Sequence, residues 1–382
     1  MSVTERKPDL APLTGIRAAA AGWVVVEHLG LMVLTFFPVL GPLTPWIDGG
    51  FLGVEVFFVL SGFIIAYNYA ERMAAFSGRA YIAFIKMRLA RIYPVHLVTV
   101  LIVVGLAVVA FALAVPLNGA SNFTIGNTVG NVLLLQALPS FAALNGPAWS
   151  ISAEFAAYLA FPFLALVLTR ITTVRSGVLT AVALSVFTVA AFAAALTSPE
   201  ASATSGAIIW LRIGTEFSLG AVIYCTWRHL GARRRATSWD AVALFSAGGL
   251  VLVLGVTGGD LTSLLAVPLI AVFVLGCAGS SGVVARALSS RFMQWGGRIS
   301  YSVYMTHALV LIVFGKIFRW QDFVGSSLGV RSGVLLAYVG VIVVAGAACY
   351  YVVEVPGRKA VRRLRLPTQR TNNVADEARQ PQ

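Results

Sequence analysis

Apolar positions in this chain fall in long unbroken blocks rather than in one-sided stripes. Such blocks lie near residues 15–37, 51–70, 94–117, 149–169, 176–197, 206–227, 239–257, 261–280, 299–318 and 333–355. Each is long enough to cross a bilayer core, which takes about 20 helical residues. A segment that is apolar all round and sits in lipid satisfies its own N–H and C=O groups only as a helix. The pattern therefore predicts an all-α polytopic membrane protein, with about ten transmembrane helices in a single bundle. A shorter block, NVLLLQAL at 131–138, is too short to span and reads as re-entrant or interfacial. No internal repeat interrupts the series.

Composition agrees with that picture. Hydrophobic residues make up 58% of the 382 positions and charged residues 11%, with mean hydropathy +0.86; a soluble domain carries about 25% charged residues. The net charge of +13 has no aromatic-interleaved basic groove to serve, so no nucleic-acid partner is expected. It works instead as a topology signal. Segments 1–14, 71–93, 170–175, 228–238, 281–298 and 356–382 hold 2, 5, 2, 4, 3 and 7 Lys or Arg, 23 in all, whereas the connections on the other side hold only Arg319 and Arg331. The positive-inside bias then places both termini in the cytoplasm, and the cytoplasmic (inner) membrane is the expected location. The layout divides the chain into a cytoplasmic N-terminal segment, 1–14, a transmembrane domain, 15–355, and a basic tail, 356–382. The start of the tail can rest on anionic membrane lipid, and its polar remainder is expected to be disordered. The first apolar run is longer than a signal peptide's and has no cleavage motif behind it, so it reads as a retained anchor. Cys225, Cys277 and Cys349 are too scattered for a metal pattern or a disulfide framework.

Polar residues inside the spans carry the candidate chemistry. In RAAAAGWVVVEH, Arg17 and His28 are eleven residues apart. That spacing puts them on nearly one helix face, about 16 Å apart along the axis. Titratable groups at membrane depth normally face a bundle interior or a water-filled cavity. In GVEVFFVLSGF, Gly53 and Gly62 read as close-packing positions, while Glu55 fits a satisfied anchor and a functional group equally well. In KMRLARIYP, Arg88 and Arg91 share a helix face and Pro94 is placed to open the next helix. The two arginines fit topological anchoring, which spacing alone favours, or a phosphate site matched to the guanidinium fork. In PAWSISAEFAAYLAFP, Ser150, Glu154 and Tyr158 form one polar stripe. Arg212 and Glu216 form an i, i+4 pair that reads as a register-fixing buried ion pair. In ISYSVYMTHALV, Ser300, Tyr304 and His307 share a face, with His307 about 12 Å from the cytoplasmic edge. His96 and His229 read as interfacial. No metal-ligand set, HExxH pair or nucleophile elbow is present, so no metal is expected.

Taken in order, LTGIRAAAAGWVVVEH, GVEVFFVLSGF, RLARIYP, AWSISAEFAAYLAFP and ISYSVYMTH resemble the acyltransferase family 3 of bacterial membrane enzymes, over the whole chain. One departure is Glu27, where an apolar or aromatic residue is more usual; it either tunes His28 or faces elsewhere. The resemblance implies transfer of an acyl group, commonly acetyl, from cytoplasmic acyl-CoA to a hydroxyl of a carbohydrate or lipid-linked glycan. Acyl-CoA, commonly acetyl-CoA, is then a donor substrate, and no permanently bound cofactor is implied. His28 becomes the catalytic histidine, with Glu154 assisting. Arg17, Arg88 and Arg91 become donor-binding residues, and Glu55, Ser150, Tyr304 and His307 become pocket residues. The chemistry suits them. Acyl transfer to an alcohol needs a base near neutral pH, and a positioned donor or cation stabilises the charge gained by the thioester carbonyl.

Two other classes compete. A transporter or flippase of a polar glycan or small molecule would also bury charges, but the chain shows no inverted repeat or paired broken helices. A sensor or scaffold would need more than these short loops. The acceptor, an envelope polysaccharide, a glycolipid or a secondary metabolite such as a macrolide, has no signature in the chain, and neither has the acyl-chain length or the oligomeric state.

Overall fold

The structure is a computed structural model that describes residues 9–75, 77–116, 119–199, 201–202, 206–230 and 236–363. The polar end of the tail, 364–382, lies outside the described residues, as does the segment 1–8. Every element among the described residues is helical: α1 (Ala11–His28), α2 (Gly30–Phe36), α3 (Leu52–Ala74), α4 (Gly78–Ala112), α5 (Trp149–Leu168), α6 (Val174–Ala195), α7 (Gly206–Leu230), α8 (Ala236–Thr257), α9 (Val267–Gly279), α10 (Arg291–Ile317), α11 (Leu328–Cys349) and α12 (Val355–Arg363), with shorter turns between them. Nine helices among the described residues are long and apolar enough to cross a membrane, or ten if the bent pair α1 and α2 is one span. The protein is thus an all-α polytopic membrane protein.

The span that ends α3 is the hub, with 78% of its apolar window buried, against 11% for α6 at the rim. It packs on α1, α5, α7 and α9. Lipid tails give apolar helices no reason to prefer one another, so close association needs small residues at the crossings. A Cβ added at Gly62 would run into the Phe217 carbonyl, and one at Gly220 into that of Val59, so α3 and α7 touch backbone to backbone. Gly53 meets the Ala20 carbonyl of α1 in the same way.

One expectation shifts, and three details are added. Pro94 lies inside the 35-residue α4 and does not open it; helix-breaking residues are tolerated in membrane helices because neighbours satisfy the freed backbone groups. His96 is fully buried on that helix, with Nε2 2.7 Å from the Asn131 carbonyl. Beyond α11 the chain makes a π-helical turn, Tyr350–Glu354, and continues as α12, so the start of the basic tail is ordered helix. The first span breaks immediately after His28, where α1 and α2 meet at 63°.

Candidate active site

A cavity of about 820 Å³ penetrates the bundle between α1, α3, α4, α5 and α10. Asp9 and Asn68, at its mouth, are exposed, whereas Val54, Ser150 and Tyr304, at its far end, are buried. Along α3 the lining runs from Asn68 back to Val54, which is about 21 Å at helix rise. The cavity is therefore a shaft. It starts at the end of the bundle where α1 begins and reaches the opposite half.

Arginines crowd the mouth. Arg17, Arg88 and Arg91 all line it, brought there from α1 and from successive turns of α4. Among the described residues Arg17 has no hydrogen-bond partner, although Glu154 attracts it electrostatically. Arg88 donates from Nη2 to the Tyr69 hydroxyl at 3.0 Å, lies over the Tyr69 and Phe84 rings, and keeps a buried Nε without a partner. Arg91 donates from Nη1 to the fully buried Glu354 and lies over the Tyr301 ring. Glu154, midway along the shaft, accepts from Ser61 Oγ at 2.5 Å and from the Tyr158 hydroxyl at 2.6 Å. At the far end the Ser150 and Tyr304 hydroxyls lie 2.9 Å apart, and each reaches the Pro147 carbonyl.

Two histidines stand just beyond that end. The His307 ring is 5.8 Å from the Tyr304 ring and meets His28 edge to face at 4.7 Å. His307 Nδ1 lies 2.6 Å from the Tyr304 carbonyl. A carbonyl only accepts, so Nδ1 carries the proton and buried Nε2 presents an unpartnered lone pair. His28 repeats the arrangement with Nδ1 2.9 Å from the Val24 carbonyl. Glu27 also touches this nitrogen. Both the Val24 carbonyl and the Glu27 carboxylate only accept, so Nδ1 carries the hydrogen toward them, and that answers which way the glutamate faces. His28 Nε2 is then free to accept a proton. The His28 side chain is 38% exposed and lies outside the shaft lining, so it can be approached from the other side.

The structure thus gathers Arg17, Arg88, Arg91, Ser150, Glu154 and Tyr304 around one shaft, with His28 and His307 behind its inner wall. Glu55 is elsewhere. Its carboxylate grips Arg212 through both oxygens, with Nε to Oε2 at 3.1 Å, and Arg212 lies over the Trp149 ring at 4.5 Å. Arg212 thus bonds across the helix crossing to Glu55 on α3. Both Glu216 oxygens are buried and without a hydrogen bond. Ser300 bonds only the Gly297 carbonyl of its own helix. Reading the chain missed Ser61, Tyr301 and Glu354. Glu354 had a signal, a carboxylate inside the last apolar run, which at membrane depth marks a functional candidate. Among the described residues no cluster of His, Cys, Asp and Glu could hold a metal ion.

Comparison with known proteins defines the class. Residues 11–353 match the family model described as an acyltransferase domain, and the chain belongs to that family: it is an integral membrane acyltransferase. It is 29% identical over 392 residues to "Acyltransferase MdmB" of Streptomyces mycarofaciens, covering 97% of each chain. No solved structure matches it.

Proposed function

We propose that this acyltransferase moves an acyl group, acetyl in the simplest case, from cytoplasmic acyl-CoA to a hydroxyl of a carbohydrate, glycolipid or related acceptor, in the cytoplasmic membrane. The observation that carries the reading is the polarity of the shaft. Guanidiniums gather toward the mouth on the basic side of the chain, and hydroxyls and then imidazoles follow deeper, with His28 about 16 Å beyond Arg17 along α1. A donor with anionic phosphates at one end and a thioester at the end of a long arm fits that order. Arginine forks suit the phosphates, and the apolar wall of α3 suits the arm.

At the inner end the acceptor hydroxyl attacks the thioester carbonyl. Its proton passes to Nε2 of His28, the new C–O bond forms, the C–S bond breaks, and the sulfur leaves as CoA thiolate. The Val24 carbonyl and the Glu27 charge hold His28 in the tautomer that accepts the proton and stabilise the imidazolium that results. A hydroxyl of the Ser150–Tyr304 pair, on turning from the Pro147 carbonyl, would donate to the thioester oxygen as it gains charge. The exposure of His28 outside the shaft lets donor and acceptor arrive from different sides, as they must if the acceptor cannot enter a CoA-filled channel.

Purified protein supplied with acetyl-CoA alone should release CoA slowly by using water as the acceptor, and His28→Ala should abolish the release. Absence of any His28-dependent turnover, together with transport of a labelled glycan into vesicles, would replace this reading with the transporter.

A further inference from the structure

Glu354 and the helix after it are left over once the shaft has been described. Glu354 is wholly buried, in a π-helical turn that follows α11. Such turns insert a residue into the helical register and are frequent at functional sites. One carboxylate oxygen, Oε1, receives both the Arg91 Nη1 and, at 3.5 Å, the Nη1 of Arg358 on α12; the other accepts from Ser302 Oγ at 2.8 Å. Helix α12 is docked along α4. Gly357 packs on Pro94 so closely that a Cβ there would collide with the ring, and Lys86 Nζ reaches the Arg362 carbonyl at 3.4 Å. Arg358 lies within electrostatic range of Arg17, Arg88 and Arg91. Four guanidiniums therefore face three carboxylates, the buried Glu354, Glu154 in the shaft and the exposed Asp9 at its mouth. That surplus of positive charge repels itself until an anion arrives. The matched acyltransferase region ends at residue 353, one residue short of Glu354.

We propose that Glu354 and Arg358 complete the donor site, Glu354 as a positioning residue that holds Arg91 at the wall of the shaft and Arg358 as a fourth guanidinium for phosphate. The inference rests on reading the shaft as the acyl-CoA site. It makes α12 part of the enzyme rather than a lipid-facing anchor. The recognised chemistry is a phosphate group, which a CoA molecule or an anionic lipid headgroup could supply, and the two are separated by the choice of membrane.

The full chain in nanodiscs of zwitterionic lipid is titrated with coenzyme A by calorimetry, and the titration is repeated with anionic lipid added. Arg358→Gln should weaken CoA binding about tenfold in both membranes, the loss expected for one charge-assisted hydrogen bond. Lys359→Gln, which removes the same charge from an exposed neighbour on α12, should leave binding unchanged. Glu354→Gln should weaken binding as well, yet add nothing when Arg91 is already Gln, because a residue that acts through another is not additive with it. If Glu354→Gln does not fold, the half-buried Arg358 decides alone. Equal effects of Arg358→Gln and Lys359→Gln, no effect of Arg358→Gln, or an effect confined to anionic discs would overturn the proposal while leaving the donor reading intact. A wild-type protein that does not bind CoA would overturn both.

Discussion

On α3, Glu55 and Ser61 are fewer than two helical turns apart, yet they belong to different kinds of polar cluster. Glu55 faces α7. It lies with Arg212 and Trp149 outside the lining of the shaft, and the carboxylate and guanidinium are locked together by two contacts. Ser61 faces α5 and the shaft, where it holds a Glu154 that also attracts the unbonded Arg17. Both clusters contain charge at membrane depth. What separates them is what remains unspent. The Glu55 carboxylate spends both of its oxygens on Arg212 and so reports on helix register. The shaft keeps free donors beside open volume, and behind its inner wall stand two imidazoles with unpartnered nitrogens. A buried charge thus points to function when its bonding capacity faces a space that a ligand could fill.

That contrast can be broken in order of expected effect. His28→Ala should lower acyl transfer by about 10²–10⁴, the usual loss of a general base, with no shift in thermal unfolding, since the side chain is partly exposed. Turnover near wild type with the native acceptor would sink the assignment. Glu55→Ala should do the reverse. Removing one partner of a buried ion pair costs about 3–5 kcal/mol of stability, read as a lower unfolding temperature in detergent, and replacing Glu55 and Arg212 together by Leu should recover much of it. Unchanged stability in the single variant would dissolve the comparison. Glu154→Gln keeps shape but loses the charged acceptor of two hydroxyls, so kcat should fall about 10–100-fold in a protein that still unfolds at the wild-type temperature; normal kinetics would return the Ser150–Glu154–Tyr158 stripe to a packing role. Arg17→Lys keeps the charge and loses the planar fork, so the donor KM should rise roughly threefold to tenfold while the acceptor KM stays put. A rise in the acceptor KM instead would move Arg17 out of the donor site.

Most of the shaft was legible because its residues sit in short local signatures. Ser150, Glu154 and Tyr158 repeat every four residues on one helix, and Arg88 and Arg91 are one turn apart, so 3.6-residue periodicity puts each set on one face before any packing is known. The spacing of Arg17 and His28 places them on one helix at different depths, but it does not show that a wall of the shaft stands between them. Periodicity gives a face and a distance along an axis. It does not say where a cavity stops. Arg212 was paired with Glu216 because they are neighbours on a helix, whereas the guanidinium reaches across to α3, where the Gly62–Gly220 contact has brought the backbones together.

The chain by itself determined the class of fold, the number of spans to within one, and the faces on which polar residues lie. Those properties follow from two requirements that act locally, about 20 apolar residues to cross lipid and a backbone that must bond to itself there. Only the tertiary structure decided that Glu55 is sealed away with Arg212, that His28 meets His307, and that Glu354 joins α12 to Arg91. Each of these joins residues far apart in the sequence, 157 positions for Glu55 and Arg212 and 263 for Arg91 and Glu354. A buried charge takes the partner that helix crossing brings within reach, and the crossings are set by glycines and packing volumes that carry no mark of the charges they bring together.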